Sequence, residues 1–341
     1  MFNKSIGIDL GTATVLVYVK GKGVILKEPS VIAVDKAADN KVVAVGSEAE
    51  KMLGRTPPQI VAMHPLENGV ISSYTMADAM ISALLKKKKS LMSASRVMMC
   101  VPSGVTDVEQ RAVIETAHSI GAKEIYLIEE PMAAAIGAGI DITKPFGNMI
   151  VDIGGGTTDI AVICAGHIVA GRSIKIAGNE FNNSVIRFMR RAYNINIGFS
   201  TAEYVKRILG TADTPDKSQT MVVKGLSTVS GLPKGVLITQ EELQPEFEEN
   251  THNIIERIKE VLEAASPRLQ GDILKNGIIL TGGGSLFNGL DKLIEQKTGV
   301  KAIIADDPIA CVAKGAGMAL DYLDSTELTF GRFYKKAYIY K

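Results

Sequence analysis

Two aspartates each stand near the end of an apolar run and just ahead of a glycine turn. Asp9 lies in Ile6-Gly7-Ile8-Asp9-Leu10, followed by Gly11-Thr12-Ala13-Thr14; Asp152 lies in Met149-Ile150-Val151-Asp152-Ile153, followed by Gly154-Gly155-Gly156-Thr157-Thr158. Glycine turns let backbone N–H groups converge on an anion, because no Cβ blocks the approach and the donors have no ladder partner. Two such turns facing each other would clamp a polyphosphate, with the hydroxyls of Thr12, Thr14, Thr157 and Thr158 as added donors. Bare carboxylates beside phosphates would repel them, so Asp9 and Asp152 require a metal. Mg²⁺ fits, since it is held through one or two carboxylates plus water and phosphate oxygens. A lone Asp-x-Gly-Thr turn would read as an ordinary hairpin. The pair, joined by a third turn Thr281-Gly282-Gly283-Gly284-Ser285 after the apolar run 277–280, reads as a site. The alternative phosphate loops, G-x-x-x-x-G-K-[ST] and a strand-borne G-x-G-x-x-G, are absent.

The elements that must carry these turns repeat. Each Asp-bearing run and its turn lead into a second apolar run, 15–19 and 159–163, predicting strand, tight turn, strand twice over. Glu130-Pro131 opens a small-residue helix expected at 132–139, and Asp307-Pro308 opens one at 309–317. Proline suits the first helical turn, and an acid ahead of it suits the helix dipole. Hairpin and acid-Pro helix recurring at long spacing indicate an internal duplication, and two similar lobes facing each other make a cleft. Between them, a strand at 97–101, a helix at 106–119 and a strand at 124–128 alternate, which predicts an α/β fold of mixed sheets covered by helices. Roughly 29–65 and 179–240 read as insertions into the two halves. The expected layout is four subdomains: IA at 1–32, 66–143 and 308–329; IB at 33–65; IIA at 144–178 and 241–307; IIB at 179–240; then a basic aromatic tail at 330–341.

Composition bounds the rest. At roughly 100–200 residues per domain, 341 residues predict two or three units, and 46% apolar against 22% charged residues supplies ample core. Thirty-eight Lys and Arg against 37 Asp and Glu leave a net charge of +1, so no uniform basic field coats nucleic acid. Cys100, Cys164 and Cys311 are far apart in apolar surroundings and form no C-x-x-C pair, which predicts buried free thiols in a reducing compartment. No stretch approaches the ~18 apolar residues of a membrane span. Met1 to Ser5 is too short for a signal peptide before the first strand, so a cytosolic location is expected.

The segments Ile8-Asp9-Leu10-Gly11-Thr12-Ala13, Leu127-Ile128-Glu129-Glu130-Pro131-Met132-Ala133-Ala134-Ala135, Val151-Asp152-Ile153-Gly154-Gly155-Gly156-Thr157-Thr158, Leu280-Thr281-Gly282-Gly283-Gly284 and Val312-Ala313-Lys314-Gly315-Ala316-Gly317 closely resemble the MreB family of bacterial actins. The likeness runs from about residue 6 to 320, and around Glu130 and Thr157 it is specific to that family within the actin, sugar kinase and Hsp70 superfamily. It implies an actin-like fold, ATP or GTP bound with Mg²⁺, slow hydrolysis, and assembly into paired antiparallel protofilaments on the inner membrane face. A part in cell shape, or in motility of wall-less cells, and a membrane adaptor partner follow from the same likeness. By matching residues, Gly11, Thr12, Ala13 and Thr14 with Gly154, Gly155, Gly156 and Thr157 look like the phosphate loops, joined by Gly178. Glu203 and Lys206 resemble the nucleoside-binding pair; Gly282, Gly283, Gly284 and Ser285 would pass under the base; Asp9 and Asp152 would hold Mg²⁺ mostly through water. Glu130 and Thr157 look like the pair that positions the attacking water, while Glu129, pointing the other way, reads as structural. Thr14 stands where most members carry Asn, and Asn179, Asn182 and Asn183 stand where they carry acids, which puts the hydrolysis rate in question.

Two surfaces read as membrane contacts. Lys86, Lys87, Lys88 and Lys89 run into Leu91 and Met92, where the family carries an apolar loop. Near an anionic leaflet each Lys is worth about 1 kcal/mol, and a filament multiplies weak attachment by avidity. The tail bearing Arg332, Phe333, Lys335 and Lys336 interleaves cations with aromatic rings, which favour the headgroup interface. Docking of that tail on the protein's own body or on a partner is the alternative. A sugar kinase could share the hairpins, but it needs an acceptor pocket with an Asp base, and no candidate is found. An Hsp70-type chaperone needs a further domain that is not expected here.

Overall fold

The computed structural model describes residues 4–87, 94–323 and 335–339. The apolar runs carrying the two aspartates are buried strands at the centres of two sheets. β1 (Lys4–Leu10) folds back antiparallel into β2 (Thr14–Val19), and β2 into β3 (Gly23–Pro29), while β4 (Ala94–Val101) and β5 (Glu124–Glu129) add in parallel on the other side of β1. The second sheet repeats the plan. β6 (Asn148–Ile153), β7 (Thr158–Cys164) and β8 (His167–Ile174) run antiparallel, and β9 (Ile278–Thr281) and β10 (Ala302–Ile304) add in parallel beside β6. The orders β3-β2-β1-β4-β5 and β8-β7-β6-β9-β10 are the same in neighbour and direction, so the duplication read from the motifs is a duplication of topology. Central strands buried on both faces explain the unbroken apolar runs.

Seven helices matter for the site: α1 (Tyr74–Lys86), α2 (Asp107–Ser119), α3 (Glu130–Gly137), α4 (Gly178–Tyr193), α5 (Phe199–Leu209), α6 (Glu248–Ala264) and α7 (Cys311–Tyr322). Thr106 does not open α2 but caps it, in a reciprocal pair of hydrogen bonds with Glu109. The helix expected at 132–139 begins two residues earlier, with Glu130 in its first turn and Gly139 already left-handed. The helix expected at 309–317 starts only at Cys311, because Asp307 adopts φ 45° and breaks the chain direction ahead of it. α3 and α7 follow the fifth strands of their sheets' plan and cross at their small residues. A methyl on Gly315 would sit inside the carbonyl of Ala133, and one on Gly137 inside that of Cys311. Each lobe has its own core. A third, formed by Ile128, Ala134, Ile150, Ile163, Val312 and Ala316 among others, joins them through these two helices.

Each insertion carries a small sheet. Ile32–Asp35 pairs with Lys41–Val45 and Ile60–Met63, and Thr220–Ser227 pairs with Ile195–Asn196 and Pro233–Thr239. The tail departs from the leading expectation. Lys335–Ile339, which includes Lys335 and Lys336, forms an edge strand antiparallel to β5, so this segment docks on the protein's own sheet. An unpaired edge exposes a row of N–H and C=O groups, and covering it satisfies them. Arg332, Phe333, Lys88, Lys89, Leu91 and Met92 lie outside the described residues. Lys86 closes α1, and Lys87 reaches the Val45 carbonyl at 3.4 Å and Glu48 at 3.3 Å. Among the described residues no helix is long and apolar enough to cross a membrane. The three cysteines are free thiols, Cys100 and Cys311 buried and Cys164 half-buried.

Candidate functional site

The two glycine turns meet face to face. A Cβ on Gly155 would strike Ala13, and one on Gly156 would strike the hydroxyl of Thr12, so glycine is required for the loops to approach. Each loop is braced from behind. Ser30 N–H donates to the Ala13 carbonyl at 2.9 Å and Ser30 Oγ to the Gly11 carbonyl at 2.6 Å. In the second loop Gly154 N–H donates to the Thr157 carbonyl at 2.9 Å, while the first amides of α4, those of Gly178 and Asn179, bind the carbonyls of Gly154 and Gly155 at 3.1 and 2.7 Å. The carbonyls are thus occupied. The N–H groups of Thr12, Ala13, Gly155 and Gly156 have no acceptor among the described residues, which is the state of an anion-binding loop.

A two-residue turn that sequence reading missed sits against both loops. Asn68 and Gly69, with φ of 50° and 79°, join Leu66–Glu67 to Val70–Ile71. Gly69 N–H donates to Thr12 Oγ1 at 2.8 Å, and a side chain there would collide with Thr157. The Asn-Gly dipeptide was the available signal, since both positions of this turn need a left-handed backbone. Thr12 is therefore an acceptor toward the protein, with its O–H still free to donate.

Four acids converge below the loops. Asp9, Asp152 and Glu130 are buried, and Asp159 is 0% exposed. Burial lifts Asp9 to about 8, with the charge of Asp152 adding to it. Burial lifts Asp152 to about 7, opposed by the Thr281 hydroxyl, which donates to Asp152 Oδ1 at 2.7 Å. Asp159 rises to about 6 through burial, opposed first by the Ser103 amide and then by the nearby Ser173 and Thr157 hydroxyls. Glu130 is raised by burial, then by the charges of Asp159, Asp9 and Asp152. Such a set is stable in its charged form only beside a cation. Among the described residues no group of three or more His, Cys, Asp or Glu is close enough to hold a metal by itself. Asp9 and Asp152 with water and phosphate oxygens fit Mg²⁺ held largely through water.

Of the two neighbouring glutamates, Glu130 enters this cluster, while Glu129 is exposed and accepts from Ser103 Oγ at 2.9 Å. Asp159 was not anticipated. The hairpin register pairs it with Asp152 across β6 and β7, and like charges directly opposite are unfavourable in a sheet. Counting back from the turn would have exposed that pair.

The remaining predicted residues divide. The Thr158 hydroxyl is fully buried and donates to the Ile176 carbonyl at 2.6 Å, and that of Ser285 donates to the Gly282 carbonyl at 2.7 Å. Neither hydroxyl reaches a ligand, because each satisfies a carbonyl that burial would otherwise orphan. Gly282 and Gly284 are pressed on Ile153, whereas a Cβ on Gly283 would meet only the Ile309 side chain, at ordinary contact distance. Glu203 and Lys206 lie on α5 without forming an ion pair. Lys206 Nζ instead donates to the Gly178 carbonyl at 3.0 Å, and burial pushes its pKa down to about 8. Behind Glu130 a space of about 20 Å³, lined also by Gly69 and Pro102, has the volume of a single water. A larger hollow of about 290 Å³, lined by Ile140, Phe146 and Met149, opens at the starts of β6 and β9, the end opposite Asp152. In open α/β sheets ligands bind at the carboxyl ends of strands, so the acids mark the site.

The family model for MreB/Mbl protein matches residues 3–328. The cell shape-determining protein Mbl of Bacillus subtilis (strain 168) is 46% identical over 326 residues, 95% of this chain and 98% of that protein. The cell shape-determining protein MreB of Escherichia coli (strain K12) is 42% identical over 330 residues, 95% of each. The crystal structure of MreB5 of Spiroplasma citri bound to ADP superposes with a TM-score of 0.88 at 38% identity, covering 94% of this chain and 97% of that one. The fold is actin-like. A chain matched over nearly its whole length at these identities belongs to the MreB/Mbl family.

Proposed function

We propose that this chain binds ATP or GTP with Mg²⁺ between its two lobes, hydrolyses it slowly, and assembles through that cycle into paired antiparallel protofilaments on the inner face of the cell membrane. There it supports cell shape or, in a wall-less cell, motility, through an anionic lipid surface and a membrane adaptor. One observation carries the reading: two loops with unspent N–H groups face each other directly above four buried acids. The ADP held by the related MreB5 supports it.

The roles follow from the donors. Thr12, Ala13, Gly155 and Gly156 offer amides to the phosphate oxygens. Lys206, spanning from α5 to the N-terminus of α4, and Glu203 border the nucleoside side. Asp9 and Asp152 would hold Mg²⁺, mostly through water, and the ion would supply positive charge toward the phosphate oxygens. Glu130 and Thr157 hold a water in line with the γ-phosphorus. Its oxygen bonds to phosphorus as the bond to the β–γ bridging oxygen breaks, the electron pair leaving on the nucleoside diphosphate, and one water proton passes to Glu130 in its ionised form.

Calorimetry with Mg²⁺ and ATP, followed by phosphate release and pelleting, tests the whole reading. The parent is expected to bind, to turn over slowly and to pellet with nucleotide. Glu130→Ala is expected to bind but lose hydrolysis by about 100-fold, the range of one general base. No uptake of any purine nucleotide would falsify the cleft assignment, and a Glu130→Ala protein as fast as the parent would reassign the base.

A further inference from the structure

Glu130 and Thr157 stand on different lobes, and their own side chains do not fix one against the other. Asp159 lies at their junction. In register it opposes Asp152 across β6 and β7 and Ser173 across β7 and β8, and it is fully excluded from solvent. Its Oδ1 accepts the backbone N–H of Ser103, on the other lobe just past β4, at 3.0 Å. Ser103 Oγ in turn donates to Glu129 Oε2 at 2.9 Å, one residue from Glu130. One oxygen of Asp159 thus holds the first lobe beside the start of α3.

The other oxygen, Oδ2, is buried and makes no hydrogen bond of good geometry among the described residues, although the Thr157 and Ser173 hydroxyls lie close enough to lower the Asp159 pKa. A native structure rarely leaves a carboxylate oxygen so, unless a partner arrives in the working state. Thr157 precedes Asp159 by two residues, which places both on one side of the chain. Of the charges acting on Glu130, that of Asp159 is the largest.

We propose that Asp159 is a positioning residue for nucleotide hydrolysis. Oδ1 fixes Ser103, and through Glu129 the first turn of α3, against the second lobe. Oδ2 accepts the Thr157 hydroxyl proton in a hydrogen bond when the cleft closes on nucleotide, which turns the Thr157 oxygen lone pairs toward the water. Thr157 and Glu130 then accept hydrogen bonds from the two water protons, leaving the water lone pair free for phosphorus. The assignment rests on the cleft being a nucleoside-triphosphate site.

Asp159→Asn separates the two functions. With its amide oxygen on Ser103 the strut survives, but the Nδ2 group meets Thr157 as a donor and reverses its hydroxyl. Parent, Asp159→Asn, Ser103→Ala and Glu130→Gln proteins are compared by binding of a fluorescent ATP analogue, single-turnover phosphate release and hydrogen exchange at the Ser103 amide. Asp159→Asn is expected to keep nucleotide affinity and Ser103 protection while phosphate release falls about 10- to 100-fold, the cost of a misplaced reactant. Ser103→Ala, which leaves every acid in place, is expected to slow release by a smaller factor at unchanged affinity. An Asp159→Asn protein as fast as the parent overturns the proposal, as does one whose affinity, protection and rate fall together, which marks a purely structural acid. If Asp159→Asn does not fold, Asp159→Ala takes its place, and parental phosphate release from that protein is the overturning result. A parent that binds no nucleotide defeats the cleft reading and this one with it. A parent that hydrolyses, with Glu130→Gln slow and Asp159→Asn unaffected, defeats only this one.

Discussion

At the scale of single residues, the cluster couples proton binding to stability. Asp9, Asp152 and Asp159 titrate at about 8, 7 and 6 in the folded chain against an ordinary 3.8. The folded pKa values lie above the unfolded ones, so the native state binds protons that the unfolded chain has released. Their contribution to stability is therefore full below the ordinary carboxylate value and is lost as pH rises through the folded values. Nucleotide-free protein is expected to melt several degrees lower at about pH 9 than at about pH 5. Asp9→Asn should flatten that slope, and Mg²⁺ with ADP should narrow it by favouring the ionised acids. Differential scanning fluorimetry across the pH series reads both, and a slope unmoved by Asp9→Asn would dissociate it from the cluster.

At the scale of elements, glycine decides how the lobes join. α3 and α7 cross so closely that Gly315 and Gly137 lie against backbone carbonyls, and Gly7 of β1 lies against the backbone at Gly317. Packing of this density tolerates no added methyl without movement of main chain, an overpacking that costs about 1–3 kcal/mol. Gly315→Ala is accordingly expected to lower the unfolding free energy by that amount, read as a lower urea midpoint at unchanged m-value. Because α3 begins with Glu130, the same change should also slow phosphate release, and a variant equal to the parent in both would mean the helices are free to separate. Gly271→Ala, inside the helix Pro267–Asn276 with open space around it, is the contrasting control and is expected to raise the midpoint, since alanine favours a helix interior by up to about 1 kcal/mol over glycine.

At the scale of the whole molecule, the terminal segment and the basic run now separate as lipid contacts. Strand Lys335–Ile339 is engaged with β5, whereas the run from Lys86 to Lys89 joins an exposed helix end to Leu91 and Met92. Reversing the four lysines to glutamate is expected to cut co-sedimentation with phosphatidylserine vesicles by about 100-fold or more, at about 1 kcal/mol for each cation near the surface. Deleting residues 330–341 is expected to leave the bound fraction unchanged while baring an edge of the first sheet. A reversed protein that still pellets with vesicles, and a deleted one that does not, would return the contact to the tail.

The sequence by itself determined the duplicated hairpins, the acid-Pro helices and the placement of Asp9, Asp152 and Glu130, because strand periodicity, glycine turns and helix-start chemistry are local. Only the tertiary structure decided which hydroxyls stay available. Thr158 and Ser285 look like Thr157 in sequence, yet each is spent on a carbonyl brought to it by packing. The Asn-Gly dipeptide and the hairpin register recorded the Asn68-Gly69 turn and the Asp152–Asp159 pair, but not that the turn meets both loops or that Asp159 reaches Ser103, because those partners are remote in sequence. The tail was ambiguous because a basic, aromatic strand suits a lipid interface and a sheet edge equally, and only the vacant side of β5 distinguishes them.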